Sequence, residues 1–467
     1  MNPKNLITST DFSQPYDLIQ STLDYLVSIT KGFEYQITAH LLQEGTSRFA
    51  NNQITQHTDI QNVLILLKLC KGKKMATAST TTLSHENLQS FVKNTANSLE
   101  SSPDIAFFQG LPDPVKGSQI DGSGYDWSPE ERVKVIAEAI SSGKELNADV
   151  KLAGTATEQK HYKRIINSNN IDIEDSFQIN YFKINAISGQ PDQRGYGQES
   201  EYWRLKQPNY TALTEEAVKT SLQTIKFINL PAPKDYEVVL AESAVSNILE
   251  FVLFSINPVD YHEGNSFASD RIGEQIFDKK LSIDNLPHEP SKATIVGAFD
   301  NEGIATQNRT LIDSGVLKHV PYNSFFASKY LQDRNLSTGE DMTPLPYTSF
   351  YPAPISAVVK TGSKSLENQI SEVSDGLLVK TFWYNRYTIK KEGGLTGLTR
   401  NGLFHIKDGE VKGAVRNLRY TESFIKAFGP DNVISVGNKC KSDEEIIAVP
   451  SIHLNNYHFS SVAHSFD

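Results

Sequence analysis

Glu242 is the residue with the clearest chemical possibility, because it lies in a long apolar run, residues 239–254, with the character of a buried helix. In zinc peptidases a glutamate in such a helix acts as the general base beside a metal that neighbouring histidines hold. The two positions that those histidines would need are occupied by Ala241 and Ser246. Neither side chain binds zinc, so the sequence predicts that Glu242 has no metal-bound water to activate.

The remaining histidines and the two cysteines offer no other metal site. Three histidines precede a glutamate without a second histidine one helical turn later: His85, His262 and His288. Three more lie near the C-terminus at irregular spacing, typical of surface or hydrogen-bonded histidines: His453, His458 and His464. Cys70 and Cys440 form no CxxC pair, and both are predicted to be buried free thiols.

Two polar runs could contact a ligand. In residues 299–303, Asp300 and Glu302 precede a glycine, which is typical of a turn in which the aspartate orients backbone amides. In residues 47–54 an arginine and two asparagines interrupt a strand-like stretch, either as a bulge or turn or as a run that hydrogen-bonds an extended peptide. The candidate peptide-binding residues are therefore Arg48, Asn51, Asn52, Asp300 and Glu302.

The elements that must position these residues fall into two predicted domains. A length of 467 residues exceeds what one core usually supports. Residues 229–235 contain two prolines in a polar stretch and have the composition of a linker. We therefore expect one domain over residues 1–230 and a second over residues 236–467.

The first domain is predicted to be α+β, with the order helix, strands, helix occurring twice. Ser128, with proline at the next position and Glu131 three residues on, has the pattern of a capping box, and the apolar stripe of that helix, which includes Val133, ends at Gly143. A further helix is predicted from Thr214. β-forming residues predict strands over 33–42, 46–58 and 62–70, and a hairpin around 168–170.

The second domain is predicted to be a mostly antiparallel β sandwich or barrel with one long buried helix, residues 242–254. Almost every segment after residue 280 is short, rich in β-formers and bounded by turn residues. The predicted strands include 293–299, 376–387, 402–406, 410–415 and 446–454.

Composition excludes several functional classes. The net charge of −10 and the pI near 5.6 disfavour a nucleic-acid partner. The sequence contains no P-loop, dinucleotide-binding, nucleophile-elbow or EF-hand motif. The N-terminus lacks the apolar core of a signal peptide and no segment is long enough to span a bilayer, so we expect a cytoplasmic protein without a membrane partner.

Five short motifs, in order across both predicted domains, resemble the TldD/PmbA family. They lie at residues 48–54, 266–274, 299–303, 309–317 and 436–438. The resemblance implies a cytoplasmic metallopeptidase system of two related subunits that processes peptides. The TldD-like subunit of that system binds zinc through HExxxH on a helix and a later cysteine.

Matched to that motif, the two histidines fall at Ala241 and Ser246, the glutamate at Glu242, and the cysteine within 446–449, where there is none. This is the pattern of the PmbA-like partner, also called TldE. The resemblance therefore implies a subunit without cofactor or catalytic metal of its own, paired with a zinc-bearing TldD-like homologue or with itself, and acting on an unfolded peptide. Residues 383–420 resemble a distinct branch of the family.

Two alternatives remain open from the sequence. The chain could be a stand-alone hydrolase in which His262, Asp300 and Glu302 converge. It could instead be a regulator that binds another protein without catalysis.

Overall fold

The computed structural model describes residues 15–341, apart from 115 and 118, and residues 351–463. Among these residues, the first half of the chain shows four helices and six strands. They are α1 (Pro15–Ile29), β1 (Glu34–Ala50), β2 (Gln53–Lys71), β3 (Lys74–Thr80), α2 (His85–Ser101), α3 (Pro129–Leu146), β4 (Lys151–Asn167), β5 (Asp172–Gln190), β6 (Gln193–Trp203) and α4 (Tyr210–Gln223).

The six strands form one antiparallel sheet in the order β3-β2-β1-β4-β5-β6. This order is symmetric about the β1–β4 pair, and each side carries its own two helices. The predicted order of helix, strands, helix, occurring twice, is therefore confirmed. Each side also has a separate apolar cluster, one beneath α1 and α2 and the other beneath α3 and α4.

The predicted strand 46–58 was wrong, because the chain turns within it. Asn51 and Asn52 both adopt positive φ, 49° and 64°, and join β1 to β2 as a tight hairpin. The strands on either side are continuous, so the three predicted strands are two long ones.

The capping box at Ser128 and Glu131 is confirmed, but two details of that helix were wrong. The helix continues three residues past Gly143. A Cβ at this position would lie 2.7 Å from Leu152, so the glycine allows close packing and does not end the helix. Val133 is 38% exposed, and the buried face passes through Val135, Ile136 and Ala139. The last helix, α4, begins at Tyr210 rather than Thr214, since Asn209 provides its N-cap.

The second half is dominated by strands. In chain order its elements are β7 (Phe227–Ile228), β8 (Lys234–Leu240), α5 (Glu242–Ser255), α6 (Pro258–His262), β9 (Ile283–Asn285), β10 (Arg309–Asp313), β11 (Val316–Leu317), α7 (Ser324–Phe326), β12 (Ala357–Val359), α8 (Leu366–Ser371), β13 (Asp375–Tyr387), β14 (Gly394–Lys407), β15 (Glu410–Val415), β16 (Leu418–Ser423), α9 (Phe424–Ala427), β17 (Val433–Val436), β18 (Lys441–Glu444), β19 (Ile447–Val449) and β20 (Ile452–Val462).

These strands form two sheets around α5. One runs β11-β10-β9-β12-β19-β18, and the other β13-β8-β20-β16-β14-β15-β7 with β17 beside β20. Because β13 also pairs with β14, the strands β13, β8, β20, β16 and β14 close into a barrel. Helix α5 is buried along most of its surface and belongs to the largest apolar cluster. The predicted fold class, α+β followed by a mostly antiparallel β unit with one long buried helix, is confirmed.

Two predicted strands of this half were wrong. Residues 293–299 form no strand, because their hydrogen bonds go elsewhere: the Ala298 N–H donates to the Asp175 carboxylate (2.6 Å). The run 446–454 is two strands in different sheets, β19 and β20, separated at Pro450, which has no N–H for a ladder.

Cys70 is buried as predicted, whereas Cys440 is exposed, because it lies in the turn that precedes β18. Within the described ranges, no helix combines the length and the apolar character needed to cross a bilayer.

Candidate functional site

Helix α5 begins at the end of β8, and its first turn contains the residues singled out by the sequence. Ala241 is the N-cap, and its N–H donates to the Val379 carbonyl of β13 (2.9 Å). Glu242 follows, with its carboxylate held by its own backbone N–H, an arrangement that the helix dipole favours. Ser246 is fully buried, and its hydroxyl donates to the Ser243 carbonyl (3.3 Å).

Two lysines of the second half meet a glutamate of the first half within electrostatic range of Glu242. Lys380 Nζ lies 2.9 Å from Glu199 Oε1, and Lys441 Nζ lies 2.6 Å from Glu199 Oε2. Lys380 also contacts Glu216 of α4 (2.7 Å). We call Glu199, Lys380 and Lys441 the ion triplet. It joins β6 to β13 and β18, and so ties the two halves of the chain together.

The triplet is buried yet stays ionised. Burial alone would raise the pKa of Glu199, but the two ammonium groups lower it to about 2. Burial would likewise lower the pKa values of Lys380 and Lys441, but Glu199 raises both above the ordinary value. Burial also raises the pKa of Glu242, and Lys441 partly offsets this. Each charge therefore depends on its partners to remain stable without water.

These residues do not fit a zinc ion. A catalytic zinc needs about three nitrogen, sulfur or carboxylate ligands, whereas the methyl of Ala241 offers none and the hydroxyl of Ser246 is used within the helix. Lys380 and Lys441 are within electrostatic range of Glu242, so their ammonium groups would repel a dication bound beside it. Although part of Cys440 is exposed, its Sγ donates to the Val359 carbonyl (3.3 Å), and burial raises the pKa of the thiol to about 12. Cys440 is therefore a neutral thiol, whereas zinc binds the thiolate form of cysteine.

A cleft of about 570 Å³ lies beside α5, between the first sheet and the barrel. Cross-strand pairing of β5 with β6 places Tyr181 with Tyr202 and Lys183 with Ser200 on one wall. The other walls come from α5, β13, β14 and β18, and their polar residues include Asn247, Arg400, Asn401, Asp443 and Glu444. Its volume is within the range of small-ligand and peptide sites.

The cleft combines aromatic faces with charge. The rings of Tyr181 and Tyr202 stack at 4.2 Å, and the Arg400 guanidinium lies 4.0 Å from the Trp383 ring centre. Stacked rings and a cation on an aromatic face provide apolar contact area and a fixed positive charge. Such walls suit a polypeptide ligand, whose backbone amides and side chains could contact the rings and the charge.

At the end of the cleft nearest α5, the Glu444 carboxyl retains its proton near neutral pH, because burial together with the neighbouring Glu250 and Asp443 raises its pKa to about 8. Burial alone raises the pKa of Glu250 to about 7. Asn247 Nδ2 donates to Glu444 Oε1 (3.1 Å). A protonated carboxyl can donate a hydrogen bond, so this end can bind carbonyl oxygens.

Asp300 and Glu302 lie outside this cleft and are buried. Asp300 Oδ1 accepts from the N–H groups of Glu302 and Ile304 (2.9 Å each), and Gly303 has φ 81°, so the predicted turn is present. Glu302 accepts from the backbone N–H and the hydroxyl of Ser324 (2.6 and 2.8 Å). The oxygens that would contact a ligand are therefore already engaged by the protein.

Arg48 and Asn51 are exposed at the β1–β2 hairpin, whereas Asn52 is structural. The Asn52 side chain donates to the Val150 carbonyl (2.8 Å) and accepts from the Leu152 N–H (2.7 Å). The Asp300 turn contacts the opposite end of β1, about 40 Å away at roughly 3.3 Å per residue. The five candidate residues thus lie in two separate places, and a peptide contact at Arg48 and Asn51 stays a prediction.

The constellation of His262, Asp300 and Glu302 is not formed through hydrogen bonds. His262 Nε2 pairs with the Tyr322 hydroxyl (2.8 Å), and its ring stacks on Tyr330 (4.3 Å). Each carboxylate is bonded to backbone amides instead.

The sequence reasoning missed the ion triplet. Lys380 could have been identified from the sequence, because a lysine within the apolar run 377–382 needs a buried partner of opposite charge. Glu199 and Lys441 stand in polar surroundings, where nothing in the sequence distinguishes them from surface residues.

Comparison with known proteins gives two family matches. Residues 122–224 match the PmbA/TldA metallopeptidase central domain, and residues 233–461 match the PmbA/TldA metallopeptidase C-terminal domain. An uncharacterized protein of Methanocaldococcus jannaschii is 26% identical over 226 residues, 48% of this chain and 51% of that protein. A metalloprotease PmbA homolog of Haemophilus influenzae is 24% identical over 96 residues, 21% of each chain. The chain thus spans about half, or less, of the length of these relatives.

Solved structures share the fold. TldE from Thermococcus kodakarensis superposes with a TM-score of 0.84 at 16% identity, covering 95% of this chain and 100% of that one. A putative modulator of a DNA gyrase from Thermotoga maritima gives 0.81 at 19% identity, with 95% and 100% covered.

Proposed function

Since the chain belongs to the PmbA/TldD metallopeptidase family, we propose that it is the PmbA/TldE-like, zinc-free subunit of a TldD-type complex that processes unfolded peptides. One observation supports the proposal: the ion triplet lies within electrostatic range of Glu242, where Ala241 and Ser246 offer no zinc ligand. Two lysine ammonium groups supply the positive charge near this carboxylate, and they cannot activate water as a metal does.

In this function the cleft binds substrate and a TldD-like partner performs hydrolysis. An extended peptide offers backbone N–H and C=O groups in every sequence, so it can be recognised with little sequence preference. The protonated carboxyl of Glu444 would donate to one of its carbonyls, and Lys183 and Arg400 would attract its acidic groups. β6 lines the cleft and is the last strand of its sheet among the described residues. An added strand would align with the part of β6 beyond Tyr196, whose N–H and carbonyl are bonded to the Thr224 hydroxyl.

The test is metal analysis of the purified chain together with peptidase assays. We expect no stoichiometric zinc, and hydrolysis of an unfolded peptide only when a homologue with intact HExxxH is co-purified. One equivalent of tightly bound zinc, or hydrolysis by this chain alone, would refute the assignment.

A further inference from the structure

Arg400 stands where the cleft meets a second, smaller cavity. The second cavity has a volume of about 250 Å³, and its apolar walls include Phe227 and Leu403. Tyr196, Arg400 and Asn401 line both spaces, so the two cavities are neighbours that share one wall. A peptide that occupied both cavities would therefore pass the Arg400 side chain.

A bulge between β13 and β14 sends Arg400 and Lys380 to different places. The pairing of the two strands shifts here, so that Asn401 and Gly402 of β14 stand opposite Lys380 alone. Both have positive φ, 51° and 128°. A Cβ at Gly402 would lie 2.6 Å from Lys380 Cγ, so the glycine leaves room for the lysine to reach the ion triplet. The bulge thus buries Lys380, while Arg400 beside it stays exposed in the cleft.

The Arg400 guanidinium is fixed on a ring and is not used by the fold. It lies 4.0 Å from the Trp383 ring centre. A guanidinium held over a ring in this way keeps the N–H groups at its edge available for a planar acceptor. Neither Arg400 nor Lys183, which also lines the cleft, forms an ion pair with any carboxylate of the described residues. A carboxylate is the acceptor that matches a guanidinium edge, because it accepts two parallel hydrogen bonds.

The acidic groups of the cleft do not cancel these two cations. Glu444 keeps its proton near neutral pH, because burial together with Glu250 and Asp443 raises its pKa to about 8. Asp443 accepts a hydrogen bond from the Ser200 hydroxyl and lies within electrostatic range of Lys441. The cleft is therefore positive, although the whole chain has a net charge of −10.

We propose that Arg400 is a specificity-determining residue, which selects peptides that place a carboxylate beside Trp383. The edge of the guanidinium binds both oxygens of that carboxylate, and Lys183 adds a second positive charge to the same cleft. An acidic side chain and a peptide's C-terminus present the same chemical group. This inference rests on the proposed function, since it concerns which peptides the cleft accepts.

Calorimetric titration of the purified full chain with short unfolded peptides tests this selection. Three peptides share one neutral sequence, are acetylated and amidated at their ends, and differ only in a central glutamate, glutamine or lysine. A fourth has the central glutamine and a free C-terminus. We expect a peptide with a carboxylate to bind at least about tenfold more tightly than the blocked glutamine peptide. Whether the glutamate peptide or the free C-terminus gives this gain identifies the source of the carboxylate.

Three variants separate Arg400 from the general charge of the chain. Arg400→Glu should invert the preference, so that the lysine peptide binds most tightly. Arg400→Lys should keep the preference for a carboxylate but reduce it, because an ammonium group lacks the planar fork. Lys134→Glu is the matched control: it makes the same change of charge as Arg400→Glu, at a side chain that is 75% exposed on α3, on the other face of the first sheet. This control should leave the preference unchanged.

Two results would overturn the proposal while peptide binding persists. One is equal affinity for the blocked glutamine peptide and both peptides with a carboxylate. The other is a preference for the carboxylate that survives in Arg400→Glu. In both cases the proposed role of the cleft would stand, because peptides still bind. If no peptide binds at all, that role fails and this inference fails with it.

Discussion

Replacing Glu199 by Gln tests whether the ion triplet stabilises the fold as its geometry indicates. Gln keeps the shape of the side chain but removes the charge that Lys380 and Lys441 bind. The pKa of Glu199 falls from 4.5 to about 2 in the folded chain, which corresponds to about 3 kcal/mol at neutral pH. Removing one partner of a buried ion pair typically costs about 3–5 kcal/mol. Both routes predict that Glu199→Gln lowers the free energy of unfolding by about 3 kcal/mol.

The pH dependence follows from the sign of the shift. Because the folded-state pKa lies below the unfolded value, the stabilisation is complete above about pH 4.5 and is lost as the pH falls toward 2. The difference between wild type and variant should therefore shrink from about 3 kcal/mol at pH 7 to about 2 kcal/mol at pH 3.5.

Urea unfolding of both proteins across this pH range measures the effect. Glu216→Gln is the control, since this glutamate also contacts Lys380 but its side chain is 49% exposed, and its loss should cost less than about 1 kcal/mol. Equal losses for the two variants, or a loss that does not change with pH, would show that the triplet is not held as described.

Three further predictions concern other positions. Glu242→Gln should leave kcat of the co-purified complex nearly unchanged, whereas the equivalent change in a zinc-bearing partner should lower it by about 10² to 10⁴, the contribution of a general base; a comparable loss in both would assign chemistry to this chain. Asn52→Ala removes two hydrogen bonds and leaves alanine at φ 64°, so thermal unfolding should show a loss of about 2 kcal/mol or more, and Asn52→Gly should recover part of it. Burial lowers the pKa values of His40 and His161 to about 4 and about 3. The stability that these neutral rings contribute is therefore lost as the pH falls below 6.5. The Tm of His40→Gln should fall less than that of the wild type between pH 6.5 and 4, and an equal fall would contradict this.

The parts of the fold that the sequence predicted correctly are those with strong local signals. The Ser128 capping box, the apolar helix after Glu242 and the hairpin around 168–170 are each determined by neighbouring residues. The errors occur where long-range contacts decide. Residues 293–299 have β-forming composition, but the Ala298 amide bonds to the Asp175 side chain of β5 and the Gly297 amide to the Pro287 carbonyl. The Asn51-Asn52 turn is only one of two readings of the sequence, because the groups that hold it lie about a hundred residues away, at Val150 and Leu152 near the start of β4.

The residue types at the first turn of α5 were visible in the sequence, but the charged groups around them were not. Ala241 and Ser246 can be read directly from the sequence as non-ligands. The triplet joins three strands whose positions only the tertiary fold defines, so its partners are adjacent in space alone. The motif that contains Asp300 and Glu302 was visible in the sequence, but nothing in the sequence showed that both side chains are buried.

The first sheet has a separate apolar cluster on each side of the β1–β4 pair, so each side has a core and two helices of its own. The connection between α2 and α3 bonds to β4 and β5, since the Pro112 carbonyl accepts from the Asn167 side chain (3.0 Å) and the Gly122 carbonyl from the Gln178 N–H (3.0 Å). A chain divided just after α2, with this connection kept on the second fragment, should therefore reassemble from two separately expressed fragments. Fragment complementation would recover the intact sheet, because each fragment retains its own helices and lacks only the opposite half of the central strand pair.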